Sequence, residues 1–437
     1  MNQFQLLRSR RFAPLFIVQF LGAFNDNVFR FGLIIFISFS LAESTGIEPG
    51  TLVVFSGGIF ILPFFLFSAL AGQIADKFEK SAIIKRVKFA EIFIMIFAAV
   101  AFRMENLTLL FGVLFLMGSQ SAFFGPLKYA ILPQHLEHRE LTGGNGLIQM
   151  GTYTAILLGA VVGGMLAAVT EVGTAAVAAC IVLLAVCGWL VAQWIPNAAP
   201  SEAKLKLEWN LAAATWRLLK LAASNRSTLV LVLTISWFWF MGATFLSLVP
   251  TYAKEALHAN EQAVTLMNVA FTLGIGIGSL LCERSSRGRI ELGLVPFGAL
   301  GVSIFAADFF LGGNPYPPQV VLTVSTFFTH GPALRAFCDL VLIGGFGAIF
   351  IVPLYAALQA RVDTAFCARV MAALNITNAA FMVLSAVFTM ALLANKITIA
   401  EIFGLVALLN LIIMVIITAA FPEFGRRARA IVLQRKN

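Results

Sequence analysis

The run FLGAFNDNVFRFGL, residues Phe20 to Leu33, decides how the rest of the chain is read. It lies within an apolar segment from Pro14 to Phe39, yet it carries Asn25, Asp26, Asn27 and Arg30. A helix rises about 1.5 Å per residue and a hydrocarbon core is about 30 Å thick, so Asp26 falls near the centre of a spanning helix. A carboxylate and a guanidinium at that depth are costly unless paired, hydrated or turned toward a bundle interior. Wound as a helix, Gln19, Gly22, Asp26 and Arg30 share one face. Such a stripe implies a hydrated or protein-lined interior. The plainer alternative is an Asp26–Arg30 pair one turn apart that neutralises itself and only holds helices together.

Composition extends this to the whole chain. Of 437 residues, 60% are hydrophobic and 12% charged, with a mean hydropathy of +0.92. A soluble chain of that length would lack polar surface, so the class is an all-α polytopic membrane protein. The basic N-terminus resembles a secretion signal, but Asp26, Arg30 and the lack of a small-residue cleavage site argue for a retained first helix. Twelve transmembrane helices are expected, near 12–40, 51–74, 84–103, 106–131, 140–168, 173–195, 227–252, 262–283, 290–311, 335–360, 367–394 and 398–421. The apolar segment 319–331, bounded by Pro317, Pro318 and Pro332, reads as interfacial or as an extension of the tenth span.

Residues 1–195 form an N-terminal six-helix half and 227–437 a C-terminal one with a short basic tail. Between them, 196–226 is a cytoplasmic linker whose residues 207–221 read as an amphipathic helix on the membrane face. Most of the 30 Lys and Arg residues fall on the side of the N-terminus, among them Lys77, Lys80, Lys85, Arg86 and Lys88. The other side holds only Arg103, Lys254, Arg335 and Lys396. The positive-inside rule then places both termini in the cytoplasm. The formal charge of +9 belongs to the membrane surface rather than to a nucleic-acid partner.

Further polar positions join the first helix as candidates for binding. In the fourth span Gly118, Ser121, Gly125 and Lys128 share a face, with Lys128 just after Pro126, where a local break would free carbonyls; otherwise Lys128 is a snorkelling lysine. The fifth span adds Asn145, Gln149 and Tyr153, the eleventh Asn375 and Asn378, all equally able to join helices. The five cysteines and four histidines show no metal spacing, and no catalytic constellation or cofactor motif stands out. A non-enzyme is expected. GIGIGS, Gly274 to Ser279, sits in an apolar span and reads as close helix packing rather than a phosphate loop. In GQIADKFEK, residues 72–80, Gly72 permits close approach and Asp76 can face a helix N-terminus or a basic partner. With Lys77 and Lys80, and with Glu283 and Arg284 in the corresponding loop of the second half, it reads as an ion-pair latch for gating.

The halves echo each other: Gly22-Ala23 in Gly242-Ala243, GPLKYAILPQ (125–134) in VPLYAALQA (352–360), and Gly72 in Gly278. Glycine, an aspartate four residues later and then basic residues between spans two and three resembles the signature loop of the major facilitator superfamily. QFLGAFNDN (19–27), GQIADKFEK (72–80), GPLKYAILP (125–133) and LTGGNGLIQ (141–149) are similar to the bacterial lysophospholipid transporters of that superfamily. The resemblance implies the major facilitator fold and a lysophospholipid flippase of the bacterial inner membrane. Such a protein returns lysophospholipid for reacylation. The expectation taken from it is transport of a lysophosphatidylethanolamine-like lipid from the outer to the inner leaflet by alternating access. It also implies that Asp26 matches the family's first-helix acid and Lys128 its fourth-helix lysine. The family's seventh-helix arginine has no counterpart in WFWFMGATFLSLVP (237–250). The expected partners are the lysophospholipid, membrane lipids and a separate acyltransferase or acyl-carrier-protein synthetase, with the chain a monomer. No cofactor is expected, and the coupling ion stays open between proton and sodium. The alternative is a major facilitator exporter or importer of another amphiphile, such as a drug or siderophore.

Overall fold

Among the described residues, twelve long helices follow one another in chain order. They are α1 Ala13–Phe36, α2 Pro49–Lys77, α3 Lys80–Arg103, α4 Leu107–Ala130, α5 Leu141–Ala167, α6 Gly173–Ala192, α7 Arg226–Glu255, α8 Glu261–Ser286, α9 Leu294–Leu311, α10 Gly331–Arg361, α11 Cys367–Ala394 and α12 Ile399–Ala420. The structure, a computed structural model, describes residues 3–37, 49–167, 173–286, 289–312 and 322–434. The last residues of the first and fifth expected spans, residues 287–288 of the second gating loop and residues 317–321 of the proline-bounded segment lie outside these. Each of the twelve expected spans has its helix. Among the described residues the only β feature is an isolated bridge between Ala259 and Leu322.

Ten of these helices are long and apolar enough to cross a membrane. The remaining two are α1, interrupted by Asn25, Asp26, Asn27 and Arg30, and α3, which carries Lys88 and Glu91. They are helical nonetheless, because a buried backbone must satisfy its own polar groups and a helix does so within one segment. Local chemistry sets the ends. Glu79 precedes α3 and accepts from the backbone N–H of Ser81 (2.9 Å) and Ala82 (2.6 Å), and Asn106 accepts from Leu109 N at 3.0 Å to start α4. Thr398 and Glu401 form a capping box on α12. The fourth helix runs unbroken through Pro126 to Ala130, so the local break expected there is absent. A membrane helix tolerates the one N–H that proline lacks when its surroundings supply other partners.

The chain forms two compact units. One comprises Met1–His138, Thr154–Asn225 and Gln359–Ala379; the other comprises Arg139–Tyr153, Arg226–Leu358 and Ala380–Asn437. The first unit is thus completed by the start of α11 and the second by the start of α5. In the first, Phe29 and Phe36 of α1 meet Phe102 of α3 edge-on at 5.6 and 5.7 Å, above Met117 of α4 and Ile181 of α6. Packing of this kind rests on dispersion, since lipid tails are as apolar as the side chains. In the second, Gly274 and Gly278 of α8 lie against the backbone of Val341 and Gly345 of α10, where any side chain would collide. The GIGIGS run is a packing device.

Within the first unit the linker contains a helix at Leu211–Ser224, begun by Asn210 accepting from Ala213 N at 3.1 Å. Its face of Ala214, Leu218 and Ala222 packs on Ala69 of α2 and on Ala372, Ala373 and Ile376 of α11. Trp209 and Trp216 remain exposed, aromatic groups suited to a membrane–water boundary. Upstream, the linker grips the α2–α3 loop: Lys80 Nζ donates to Ser201 Oγ (2.8 Å) and Ala199 O (3.3 Å), and Ala198 N donates to Glu79 at 2.6 Å. Burial raises the pKa of Glu79, but the hydrogen bonds from Ala198, Ser81 and Ala82 outweigh it and hold the carboxyl below its ordinary value.

Candidate functional site

The polar face of α1 meets α3 and α4 inside the first unit, and two groups of charged residues result. One is saturated. Glu91 is 2% exposed and Lys88 1%. Glu91 Oε2 accepts from Lys88 Nζ at 2.6 Å and from Gln120 Nε2 at 2.8 Å, and Oε1 accepts from Asn25 Nδ2 at 3.0 Å. The Lys88 ammonium also lies 4.9 Å above the Phe124 ring. It reaches α1 because residue 22 is glycine; a Cβ there would strike Nζ. Every oxygen of Glu91 has a donor, which is what a buried charge requires.

The other group has capacity left. Asp26, Arg30 and Lys128 are each only partly buried. Ser121 Oγ reaches Asp26 Oδ2 at 2.8 Å and Gln120 Oε1 at 3.3 Å, one hydroxyl proton facing two acceptors. Oδ1 of Asp26 is buried with no hydrogen-bond partner among the described residues. Arg30 does not pair with Asp26 but lies over the Phe60 ring, 4.7 Å from its centroid. Lys128 lies over Tyr129 at 4.9 Å and stays within electrostatic reach of Asp26 and Lys88. The self-neutralising pair considered from the sequence is therefore absent. One carboxylate with an open acceptor and two cations with open donors remain, and the Gln120–Ser121 contact ties them to the saturated pair.

The other expected binding residues divide between the units. In the first, Asn25 is committed to Glu91 and Asn27 Nδ2 donates to Ala23 O at 2.8 Å. Asn375 abuts Gly125, its Nδ2 buried without a partner, and Asn378 is 8% exposed. In the second, Asn145 Nδ2 donates to Leu141 O at 2.9 Å and Gln149 is buried. Tyr153 stacks on Trp239 at 6.3 Å and meets Phe271 edge-on at 6.3 Å. Trp239 Nε1 in turn donates to Tyr355 OH at 3.2 Å.

The residues read as a latch settle differently. Asp76 is fully buried and does both things open to it, accepting from the first N–H groups of α11, Ala368 (3.1 Å) and Arg369 (3.2 Å), and from Arg369 Nε at 3.0 Å. Arg369 also pairs with Glu202 of the linker. Gly72 allows this, since a Cβ there would stand 2.6 Å from Ala372 Cβ. Lys77 lies over Phe78 at 5.7 Å, Lys80 is buried on the linker, Glu283 is half-buried and Arg284 is exposed. Sequence reasoning missed Arg369, Gln120 and above all the Lys88–Glu91 pair. The sequence counts Lys88 among the basic residues between the second and third spans; it stands within α3 with its side chain buried. The available signal was the i, i+3 spacing of opposite charges in KFAE, within a run too apolar for a loop.

The model of the Major Facilitator Superfamily matches residues 15–340, and the chain belongs to that superfamily, a multi-pass membrane transporter rather than an enzyme. It is 29% identical over 365 residues, 81% of each chain, to the lysophospholipid transporter LplT of Escherichia coli O7:K1 (strain IAI39 / ExPEC) and to that of Escherichia coli (strain SE11). Among solved structures it resembles the human organic anion transporter MFSD10, with a TM-score of 0.70 and 14% identity over 92% of this chain and 99% of that one. A bacterial homologue of the iron transporter ferroportin in its outward-facing state gives 0.65 and 15%, over 93% and 99%. These two likenesses establish the fold.

Proposed function

We propose that the protein carries lysophospholipid from the outer to the inner leaflet of a bacterial inner membrane by alternating access. The observation that supports it is the unsaturated trio in the first unit. Asp26 offers an acceptor and Arg30 and Lys128 offer donors, the complement of an ammonium and a phosphate diester in one zwitterionic head group such as lysophosphatidylethanolamine. Each charge-assisted hydrogen bond formed with water excluded is worth about 1.5–3 kcal/mol. The single acyl chain needs no polar partner, only apolar surroundings. Similarity to the lysophospholipid transporters adds weight to a lysophospholipid as the cargo.

In this reading both termini are cytoplasmic, residues 1–195 and 227–437 are the functional halves, Asp76 and Arg369 act as a latch, and a monomer suffices. Reacylation falls to a separate acylating enzyme. The test is uptake of labelled lysophosphatidylethanolamine into spheroplasts. Asp26→Asn and Lys128→Ala are each expected to lower it at least about tenfold, the effect of one lost charged contact, at unchanged protein level. Wild-type uptake in both variants would overturn the assignment, and strong competition by an unrelated soluble amphiphile would favour a drug or siderophore carrier.

A further inference from the structure

A second set of ionisable groups lies in the other unit, where α7 and α9 end and α10 begins. Asp308 is in the last turn of α9, and Arg335 and Asp339 are one turn apart in α10. Arg335 holds Asp308 as a fork, Nη2 to Oδ1 at 2.6 Å and Nε to Oδ2 at 2.9 Å, with Nη2 also 3.3 Å from the Asp308 carbonyl. Both side chains are well exposed, at 44% and 40%. Asp339 differs. It is 3% exposed, and no N–H or O–H group among the described residues donates to its buried Oδ2. Its carboxyl instead lies in hydrogen-bonding contact with the carboxyl of Asp308.

Two carboxylates hold such a contact only when a proton lies between them, because as anions they offer two acceptors and repel. The charges lead to the same conclusion. Arg335 neutralises Asp308 through both oxygens, so an ionised Asp339 would be a buried, undonated anion beside another anion. The groups facing Asp339 from packed elements are Asp308 of α9 and Tyr252 of α7, with Arg335 on its own helix. None of them donates to it. A metal cation fits poorly, since the Arg335 guanidinium already occupies both Asp308 oxygens.

We propose that Asp339 and Asp308 form a proton-binding site, with Asp339 carrying the proton and donating it to Asp308. One O–H bond forms on Asp339 as one O–H bond of a hydronium ion breaks and releases water, and the local charge rises from −1 to zero. The exposed edge of Asp308 and Arg335 is the route by which the proton exchanges with water, on the outer side in the orientation proposed above. The site is separate from the Asp26 trio and stands whether or not the carried lipid is the one proposed.

The test is infrared difference spectroscopy on the purified full-length protein without lipid substrate, titrated from about pH 5 to pH 9. The wild type is expected to show a protonated-carboxyl signal at neutral pH that Asp339→Asn loses by one equivalent, while Asp26→Asn keeps that component. Asp308→Asn serves if Asp339→Asn does not fold. It frees Arg335 to pair with Asp339, so the neutral-pH signal is lost there too. Spectra of Asp339→Asn, or of Asp308→Asn, that superimpose on the wild type overturn the proposal. So does loss of the signal on adding sodium at constant pH, which would mark a metal-cation site. Because no lipid enters the measurement, failure here leaves the transport reading untouched, and failure of the uptake assay leaves this one untouched.

Discussion

The two units solve the problem of polar groups in lipid in different ways. Around α1, α3 and α4 the first unit buries a formal ion pair, Lys88 with Glu91, and spreads its hydrogen bonds through Asn25, Gln120 and Ser121 to Asp26. In the second unit the network around Asn410 uses neutral groups. Asn410 of α12 accepts from Trp237 Nε1 at 3.0 Å and donates to Ala299 O (2.8 Å) and Ser303 Oγ (3.0 Å), and Thr244 meets Ser385 at 2.8 Å. Neutral networks join helices and demand little of their surroundings. A charged network demands complete pairing, and that pairing stops at Asp26, whose buried Oδ1 has no hydrogen-bond partner among the described residues. The difference teaches that saturation, rather than charge itself, distinguishes the two groups of charged residues in the first unit, and the proposed site is the unsaturated one.

The contrast can be broken by mutation. The largest effect is expected from Lys88→Ala, which strands Glu91: a loss of about 3–5 kcal/mol, read from unfolding of the purified protein in detergent. The double change Lys88→Met with Glu91→Leu is expected to recover most of that stability while leaving transport impaired, because Gln120 loses the partner that orients it beside Ser121 and Asp26. A double variant no better than the single one would mean the pair does more than neutralise itself. Asn410→Leu is expected to cost less, about 1–3 kcal/mol, from one unsatisfied Trp237 N–H and two lost acceptor contacts, with substrate affinity unchanged. Should Asn410→Leu match the cost of Lys88→Ala, the distinction between charged and neutral cores fails. The smallest change is expected for Thr244→Val, about 0.5–1.5 kcal/mol for the neutral bonds to Ser385 and to the Phe240 carbonyl of its own helix, measured in the same unfolding assay.

Much of this was legible in the residues of α1. The polar face of Gln19, Gly22, Asp26 and Arg30 follows from helical period alone, and Asp26 does stand at the meeting of that face with Ser121 of α4. Lys128 was likewise recognisable as a cation on a small-residue face. Lys88 was not, because a charge near the expected mouth of a helix counts as topogenic until the helix is seen to start earlier, at Lys80. Arg369 was hidden for the same reason: a basic residue beside a loop looks like surface charge, and only Asp76 arriving from 293 positions away in sequence makes it an ion-pair partner. Asp339 drew no notice, since an isolated acid in an apolar run reveals neither its depth nor its neighbour.

By itself the sequence determined the twelve spans, the all-helical class and the helix faces that carry charge, because bilayer thickness and helical period act on residues close together in the chain. Only the tertiary structure decided which charges are saturated and which are left open. That depends on donors and acceptors delivered by other helices within about 3 Å, a distance at which a single rotamer or a missing Cβ, as at Gly22, makes or removes the partner.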